Sequence, residues 1–403
     1  MKKIMILGAG IYQVPLIKKA KDMGLYTIVL SIPGDYPGFE LADKTYYCNT
    51  SDKVSALEIA QNEKIDAICT TGTDVAVSTI GYVNSKMGLC GITEDAANCT
   101  TDKVKMQKAF HGGGVNAAEY VVVRTAEEAV EAAKKIGFPV VVKCVDSSGS
   151  RGITTVFEEK DVAAAFEESI KYSRQDYVLV EQRLTGHELC ISGFVQKGKV
   201  AFLAPHHKYS VKKNNIPISI GHSFPYHCDQ RTYDNIAAEM QKVVDATGID
   251  SCAFNADAFD DDGEISIIEV GGRAGATCIP ELIAIHYGVD YYKMVIENAL
   301  GNTYDVSIKE DRVPCKARLL MSPVDGTITD IDEDKLESMR GEYTQIQLDF
   351  PAGHAVEEMI NGTCRIGHVI APTDDETEHN KIVDAVYDSI YVDNKSLKEL
   401  WTK

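Results

Sequence analysis

The sequence lacks the features that mark several large classes of protein. No apolar run approaches the roughly 20 residues that a membrane span needs, and the opening MKKIMILGAG has neither the long apolar core nor the cleavage site of a secretory signal. Both absences predict a soluble cytoplasmic chain with no membrane partner. The 11 cysteines form no CxxC pair and follow no regular spacing, which argues against a disulfide framework or zinc ligands. Cys69, Cys144, Cys190 and Cys252 stand in apolar surroundings and read as reduced core thiols. Positive charge is scarce: 41 Lys and Arg against 60 Asp and Glu leave a net charge of -19. That balance excludes a nucleic-acid partner, whose phosphates need clustered cations. It leaves room for a small anionic ligand where a few cations and backbone N–H groups gather locally. The phosphate-binding pattern GxxxxGK[ST] is missing, and no Ser-His-Asp or Cys-His arrangement stands out.

What is present is enough for several cores. A chain of 403 residues with 44% hydrophobic content predicts two to four domains. Up to about residue 95, short apolar strands (KIMILGAG, YTIVLS, DAICTTG, MGLCGI) alternate with helical stretches, the pattern of a parallel sheet wrapped by helices. Its first turn has Gly8 and Gly10 but Gln13 in place of a third glycine, and the second strand ends in Leu30-Ser31 rather than an acidic ribose ligand. An NAD site is therefore disfavoured, and the glycines read as a tight strand-to-helix connection.

Near residue 100, Thr100 and Thr101 offer an N-cap for the helical DKVKMQKAF, which Gly112-Gly113-Gly114 terminates. Lys103 falls in the first turn of that helix, either at the surface or facing a cleft. In GFPVVVKCVDSSGSRGI, residues 137–153, Lys143 projects from inside an apolar strand. A buried ammonium calls for a phosphate or carboxylate partner, and a snorkelling surface lysine is the alternative. The small residues that follow, Ser147, Ser148, Gly149 and Ser150, allow backbone N–H groups to approach phosphate oxygens closely.

A second strand, Tyr177 to Val180, delivers Glu181, then Gln182 and Leu184, with Glu188 seven residues after Glu181. Backbone groups around Glu181 to Leu184 suit an adenine edge, and the Glu188 carboxylate suits two ribose hydroxyls. FNADAFDDDGEISIIEVGGR, residues 254–273, reads as a hairpin. A three-residue turn ending in Gly263 would pair Asp260 with Glu264, Asp257 with Ile267 and Asn255 with Glu269. Asn255, Asp257 and Glu269 then share one face and offer hard oxygen ligands for Mg²⁺, or Mn²⁺ in its place. Arg273, four residues on, lies on that face if the chain stays extended. It would bind a carboxylate or an oxyanion, or pair with Glu269. His206-His207-Lys208-Tyr209 reads as a polar loop or a substrate-contact loop, His222, His227 and His286 show no ligand spacing, and none of these histidines carries an assignment.

In the order of these motifs, from GAGIYQVPLI through TDK at 101–103, GFPVVVKCVDSSGSRG, VLVEQRLTGHE and IIEVGGR, nearly the whole chain resembles the ATP-grasp superfamily of carboxylate-amine ligases, most of all the L-amino-acid ligases. The resemblance implies an α/β fold: a Rossmann-like parallel-sheet domain over 1–95, an ATP-grasp domain of two α+β subdomains over 96–180 and 181–305, and an α+β domain over 306–403 that packs near the active site. It implies ATP and magnesium as cofactors, with Lys103 and Lys143 on the phosphates, Glu181 and Leu184 at adenine, Glu188 at ribose, and Asp257 and Glu269 on the metal. Arg273 would hold the acyl phosphate and the tetrahedral intermediate. The activity so implied is ATP-dependent joining of a carboxylate, an amino acid or small peptide, to an amine, with release of ADP and phosphate. A phosphoribosyl-type ligase of purine synthesis and a non-catalytic nucleotide-binding regulator are the alternatives. Partners are small molecules, with a homodimer as the expected assembly.

Overall fold

The computed structural model describes residues 1–145, 152–213, 216–373 and 375–402. The chain divides into two compact units, the first made of Met1–Ala204, Cys228–Gly275 and Tyr292–Asp305, the second of Pro205–His227, Ala276–Tyr291 and Val306–Lys403. Both mix helices with strands, as the sequence predicts for an α/β chain.

The first unit opens with a parallel sheet in the order Lys44–Tyr47, Tyr26–Ser31, Lys3–Leu7, Ala67–Cys69. Its central strands are apolar and buried, which suits a parallel sheet flanked by crossover helices. Gly8, at φ +102°, makes the turn from the first strand, where an added Cβ would lie 2.8 Å from Gln13 Oε1. Gln13 closes that turn by accepting from Gly10 N at 3.0 Å and donating to Thr71 O at 2.6 Å. The glycine turn thus serves a tight connection.

An antiparallel sheet follows in the order Tyr120–Val123, Val178–Gln182, Val140–Lys143, Ile153–Val156. Helices Ala126–Ile136 and Val162–Ile170 cover it, packing Ala129, Ala133, Ala165 and Phe166 on Val140, Val142, Val178 and Val180. The remaining strands of this unit, Glu264–Gly271, Cys252–Asp261 and His187–Gln196, run side by side. Phe254, Ala256 and Ala258 bury one face of that group while Asn255 and Asp257 line the other.

In the second unit, Ile216–Phe224, Cys315–Met321, Arg365–Ala371 and Gln345–Leu348 form adjacent antiparallel strands. Helix Glu376–Tyr387 contributes Val383, Val386 and Tyr387 to a core with Leu320, Val369 and Ile390. All 11 cysteines are free thiols; burial raises Cys69 and Cys252 to about 12, which makes them unreactive at neutral pH. Among the described residues no helix is long and apolar enough to cross a membrane.

Candidate active site

The hairpin register differs from the one expected. The turn holds two residues, Asp262 at φ +53° and Gly263 at φ +84°, so Asp261 pairs with Glu264. Positive φ at both positions matches the right-handed twist of the flanking strands, which is why Asp-Gly selects this turn. A two-residue turn alone would set Asp257 opposite Ile268. Instead the ladder shifts between Asp257 and Ala258, Ile268 is left as a bulge, and Asp257 lies directly opposite Glu269, with Asn255 opposite Gly271. The expected pairings of Asp257 with Ile267 and of Asn255 with Glu269 are therefore corrected by two residues. The three polar residues still share one face, since pairing partners and positions two apart project to the same side.

The next strand adds to that face. Glu188 lies opposite Phe259, Cys190 opposite Asp257 and Ser192 opposite Asn255. The Cys190 thiol donates to Asp257 Oδ1 at 2.7 Å, and Ser192 Oγ donates to Asn255 Oδ1 at 2.9 Å. Asp257 and Glu269 offer two opposed carboxylates, a donor set that fits Mg²⁺. Asn255 Oδ1 is turned to Ser192 and keeps one lone pair for a water or metal.

Lys103, the first residue of helix Lys103–Gly113, sets its ammonium 3.0 Å from Glu269 Oε2. Asp102, not the expected Thr100 or Thr101, caps this helix by accepting from Val104 N and Lys105 N, because the two threonines end the preceding helix Glu94–Thr101. Glu269 raises the Lys103 pKa against the opposing effect of burial, and Glu181 adds to the rise.

Lys143 is 5% exposed and its partner is a carboxylate, with Glu181 Oε2 at 2.6 Å. The antiparallel pairing of their strands sets Val141 opposite Glu181 and Lys143 opposite Leu179, so the two side chains reach one another diagonally on the same face. Gln107 also donates to Glu181, at 3.3 Å. Gln182 gives its N–H to Glu119 O at 2.8 Å, Leu184 is half-buried in the linker that follows, and Glu188 is exposed. Ser147, Ser148, Gly149 and Ser150 lie outside the described residues.

Arg273 is not on an extended chain: the strand ends at Gly271 and the arginine sits in a bend beyond it. Its partner is Asp74 rather than Glu269. Nη2 donates to Asp74 Oδ2 at 2.8 Å, and Nε stands 2.8 Å from Oδ1. Burial works against the Arg273 charge, but Asp74, with Asp257 and Glu269 adding their fields, raises its pKa overall. Protein groups stand close to Gly271 and Gly272. An added Cβ would lie 2.7 Å from Asp74 Oδ1 at Gly271 and 2.4 Å from Ile92 Cδ1 at Gly272.

The structure thus gathers Asn255, Asp257, Glu269, Glu188 and Lys103 around one sheet face, with Lys143 and Glu181 linked to Lys103 through charge. The sequence reading missed Asp74, Gln107, Cys190 and Ser192. Only the period-two alternation of LCISGF could have pointed to Cys190 and Ser192; for Asp74 and Gln107, from distant segments, there was no local signal.

Three comparisons bear on this arrangement. Residues 136–281 match the family described as ATP-grasp domain. A formate-dependent phosphoribosylglycinamide formyltransferase of Wolinella succinogenes is 29% identical over 208 residues, 50% of this chain and 53% of that protein. The chain spans about half the length of the curated relatives it matches first. The crystal structure of a phosphoribosylglycinamide synthetase from Anaerococcus prevotii is similar over 97% of this chain and 99% of its own, at 27% identity and a TM-score of 0.83. That of an L-amino acid ligase from Bacillus licheniformis covers 97% and 98% with a TM-score of 0.79, and at 18% identity it speaks for the fold alone. Residues 136–281 are thus similar to an ATP-grasp domain, and the relatives named are a formyltransferase, a synthetase and, for the fold alone, a ligase.

Proposed function

From a chain whose residues 136–281 are similar to an ATP-grasp domain, we propose an ATP-dependent ligase that activates a small carboxylate as its acyl phosphate and joins it to a phosphoribosyl-type amine. The observation that carries this choice of substrate is the similarity to the phosphoribosylglycinamide synthetase over 97% and 99% of the two chains. It reverses the order of the two readings drawn from motif order, where an amino-acid ligase came first. The amino-acid reading keeps as its support the 26% identity over 207 residues to a D-alanine--D-alanine ligase of Pseudomonas entomophila.

The mechanism follows from charge. A carboxylate is a poor electrophile, and transfer of the γ-phosphoryl group of ATP makes it a good one. In this reading Asp257 and Glu269 hold Mg²⁺, which neutralises phosphate charge when bound. Lys103 and Lys143 turn their ammonium groups from Glu269 and Glu181 toward the phosphates. Glu188 takes the ribose, and the segment Glu181 to Leu184 borders adenine, with Gln182 held there by Glu119. Arg273 stabilises the oxyanion as the amine attacks, a role in which one donor contributes about 3 kcal/mol. The domain limits 1–95, 96–180, 181–305 and 306–403, the cytoplasmic setting and the homodimer belong to the same reading.

The test measures ADP release with glycine and 5-phosphoribosylamine, with formate and phosphoribosylglycinamide, and with pairs of free amino acids. Hydroxylamine is added to trap an acyl phosphate as a hydroxamate. Turnover with a phosphoribosyl amine supports the proposal, turnover with amino-acid pairs alone returns the second reading, and no ADP release with any carboxylate overturns both.

A further inference from the structure

We propose that Asp74 is a positioning residue for Arg273, so that the N-terminal parallel-sheet region sets the aim of the catalytic guanidinium. The inference rests on the reading of Arg273 as the group that stabilises the oxyanion. Asp74 follows the end of strand Ala67–Cys69, and its loop is docked on the arginine's own segment. Thr71 bridges Ala274 in parallel, and Gly72 N donates to Ala274 O at 3.1 Å. The Asp74 carboxylate then covers one edge of the guanidinium, with Oδ1 2.8 Å from Nε and Oδ2 accepting from Nη2 at 2.8 Å. The third nitrogen, Nη1, has only a long bond of 3.4 Å to Ala274 O. Nη2 therefore takes its direction from a hydrogen bond to Asp74, while Nε is held beside the same carboxylate by charge without an aligned N–H bond.

Gly271 makes this possible, since a side chain there would begin 2.7 Å from Asp74 Oδ1. The Asp74 side chain is 44% exposed and that of Arg273 15%. The pair is thus open on the aspartate's side only, and the docked loop and cleared glycine around it point to orientation as its use. A planar fork held along one edge has a fixed plane and presents its other edge in a fixed direction.

The test compares full-length wild type with Asp74→Asn, Gly271→Ala and the double variant. Turnover is followed as ADP release with glycine as the carboxylate probe and hydroxylamine as acceptor. The side-chain Nε–H NMR signal of Arg273, assigned by its loss in Arg273→Lys, is followed in parallel. Each single variant should lower kcat by about tenfold or more while KM for ATP stays within about twofold. The double variant should be no slower than the slower single, because both changes break one contact, and the Nε–H signal should shift and broaden in all three. An unchanged Nε–H signal in Asp74→Asn overturns the proposal even where glycine supports no turnover. So does a wild-type kcat in Asp74→Asn when Arg273→Ala has lost turnover, and in that case the reading of Arg273 stands. Wild-type turnover in Arg273→Ala removes the role of Arg273, and the proposal falls with it.

Discussion

Asp257 lies directly opposite Glu269 even though the turn joining their strands holds only Asp262 and Gly263, because Ile268 is extruded as a bulge. The extra residue shifts the ladder by one and returns both carboxylates to the same face. Moving the carboxylate to the bulge, by Ile268→Glu with Glu269→Ile, should weaken Mn²⁺ binding by more than about tenfold, since changes even around a metal's ligands cost that much. Paramagnetic titration of the protein with Mn²⁺ in the presence of ADP measures it. Wild-type affinity in the swapped variant would show that this pairing does not hold the metal.

Lys103 stands 3.0 Å from Glu269 and competes with a cation for its oxygen. Replacing it by methionine should strengthen Mn²⁺ binding to the nucleotide-free protein by about two- to fivefold, the scale of a partly exposed ion pair. The same change should weaken binding of MgATP, because an ammonium group for the phosphates is lost. Opposite signs in the two calorimetric titrations are the expected outcome; equal signs would count against the exchange of partners.

The Lys143–Glu181 pair is buried on both sides, with side chains 6% and 7% exposed. Glu181→Ala strands a buried ammonium and removes the acceptor of Gln107, and should cost about 3 kcal/mol of stability in urea unfolding. Glu181→Leu combined with Lys143→Met should recover most of that loss, as buried pairs replaced by apolar groups do. If the double variant is as unstable as the single, the stranded charge is not the cause.

His368 in the second unit is 4% exposed, and burial, with Arg365 adding repulsion, lowers its pKa to about 3. Unfolding returns it to about 6.5, so between these values the unfolded chain binds the extra proton. Stability from this group is complete above pH 6.5 and falls as pH drops toward 3. The linkage amounts to about 2 kcal/mol between pH 7 and pH 5. His379, lowered by burial to about 4, works in the same direction. His368→Gln should flatten the pH dependence of urea unfolding by about 2 kcal/mol over this window, and an unaltered slope would show that His368 does not cause it.

Much of the architecture was legible because it depends on local periodicity. Alternation of short apolar strands with helices identified the parallel sheet at Lys3–Leu7, Tyr26–Ser31 and Ala67–Cys69, but MGLCGI forms no strand: it is the end of helix Val77–Met87 and the turn at Gly88 that stops it. Beyond residue 306 the sequence also reads CKARLLMS and YTQIQLDF as strands and DETEHNKIVDAVYDSI as a late helix, and these form Cys315–Met321, Gln345–Leu348 and Glu376–Tyr387. Period-two spacing likewise put Asn255 and Asp257 on one face.

The sequence by itself determined which residue types stand on which strands, because side-chain direction along a strand repeats every two residues and turn chemistry follows from Asp and Gly. Only the tertiary structure decided how these residues are paired. The bulge at Ile268 depends on the ladders formed by Cys252–Asp261 and Glu264–Gly271 and on Ile267 N bonding to Asn116 O at 2.8 Å. The partners of Lys103, Lys143 and Arg273 come from segments 166, 38 and 199 residues away. Charge attraction carries no sequence address: any carboxylate brought within about 3 Å serves, and the packing of the sheets chose Glu269, Glu181 and Asp74.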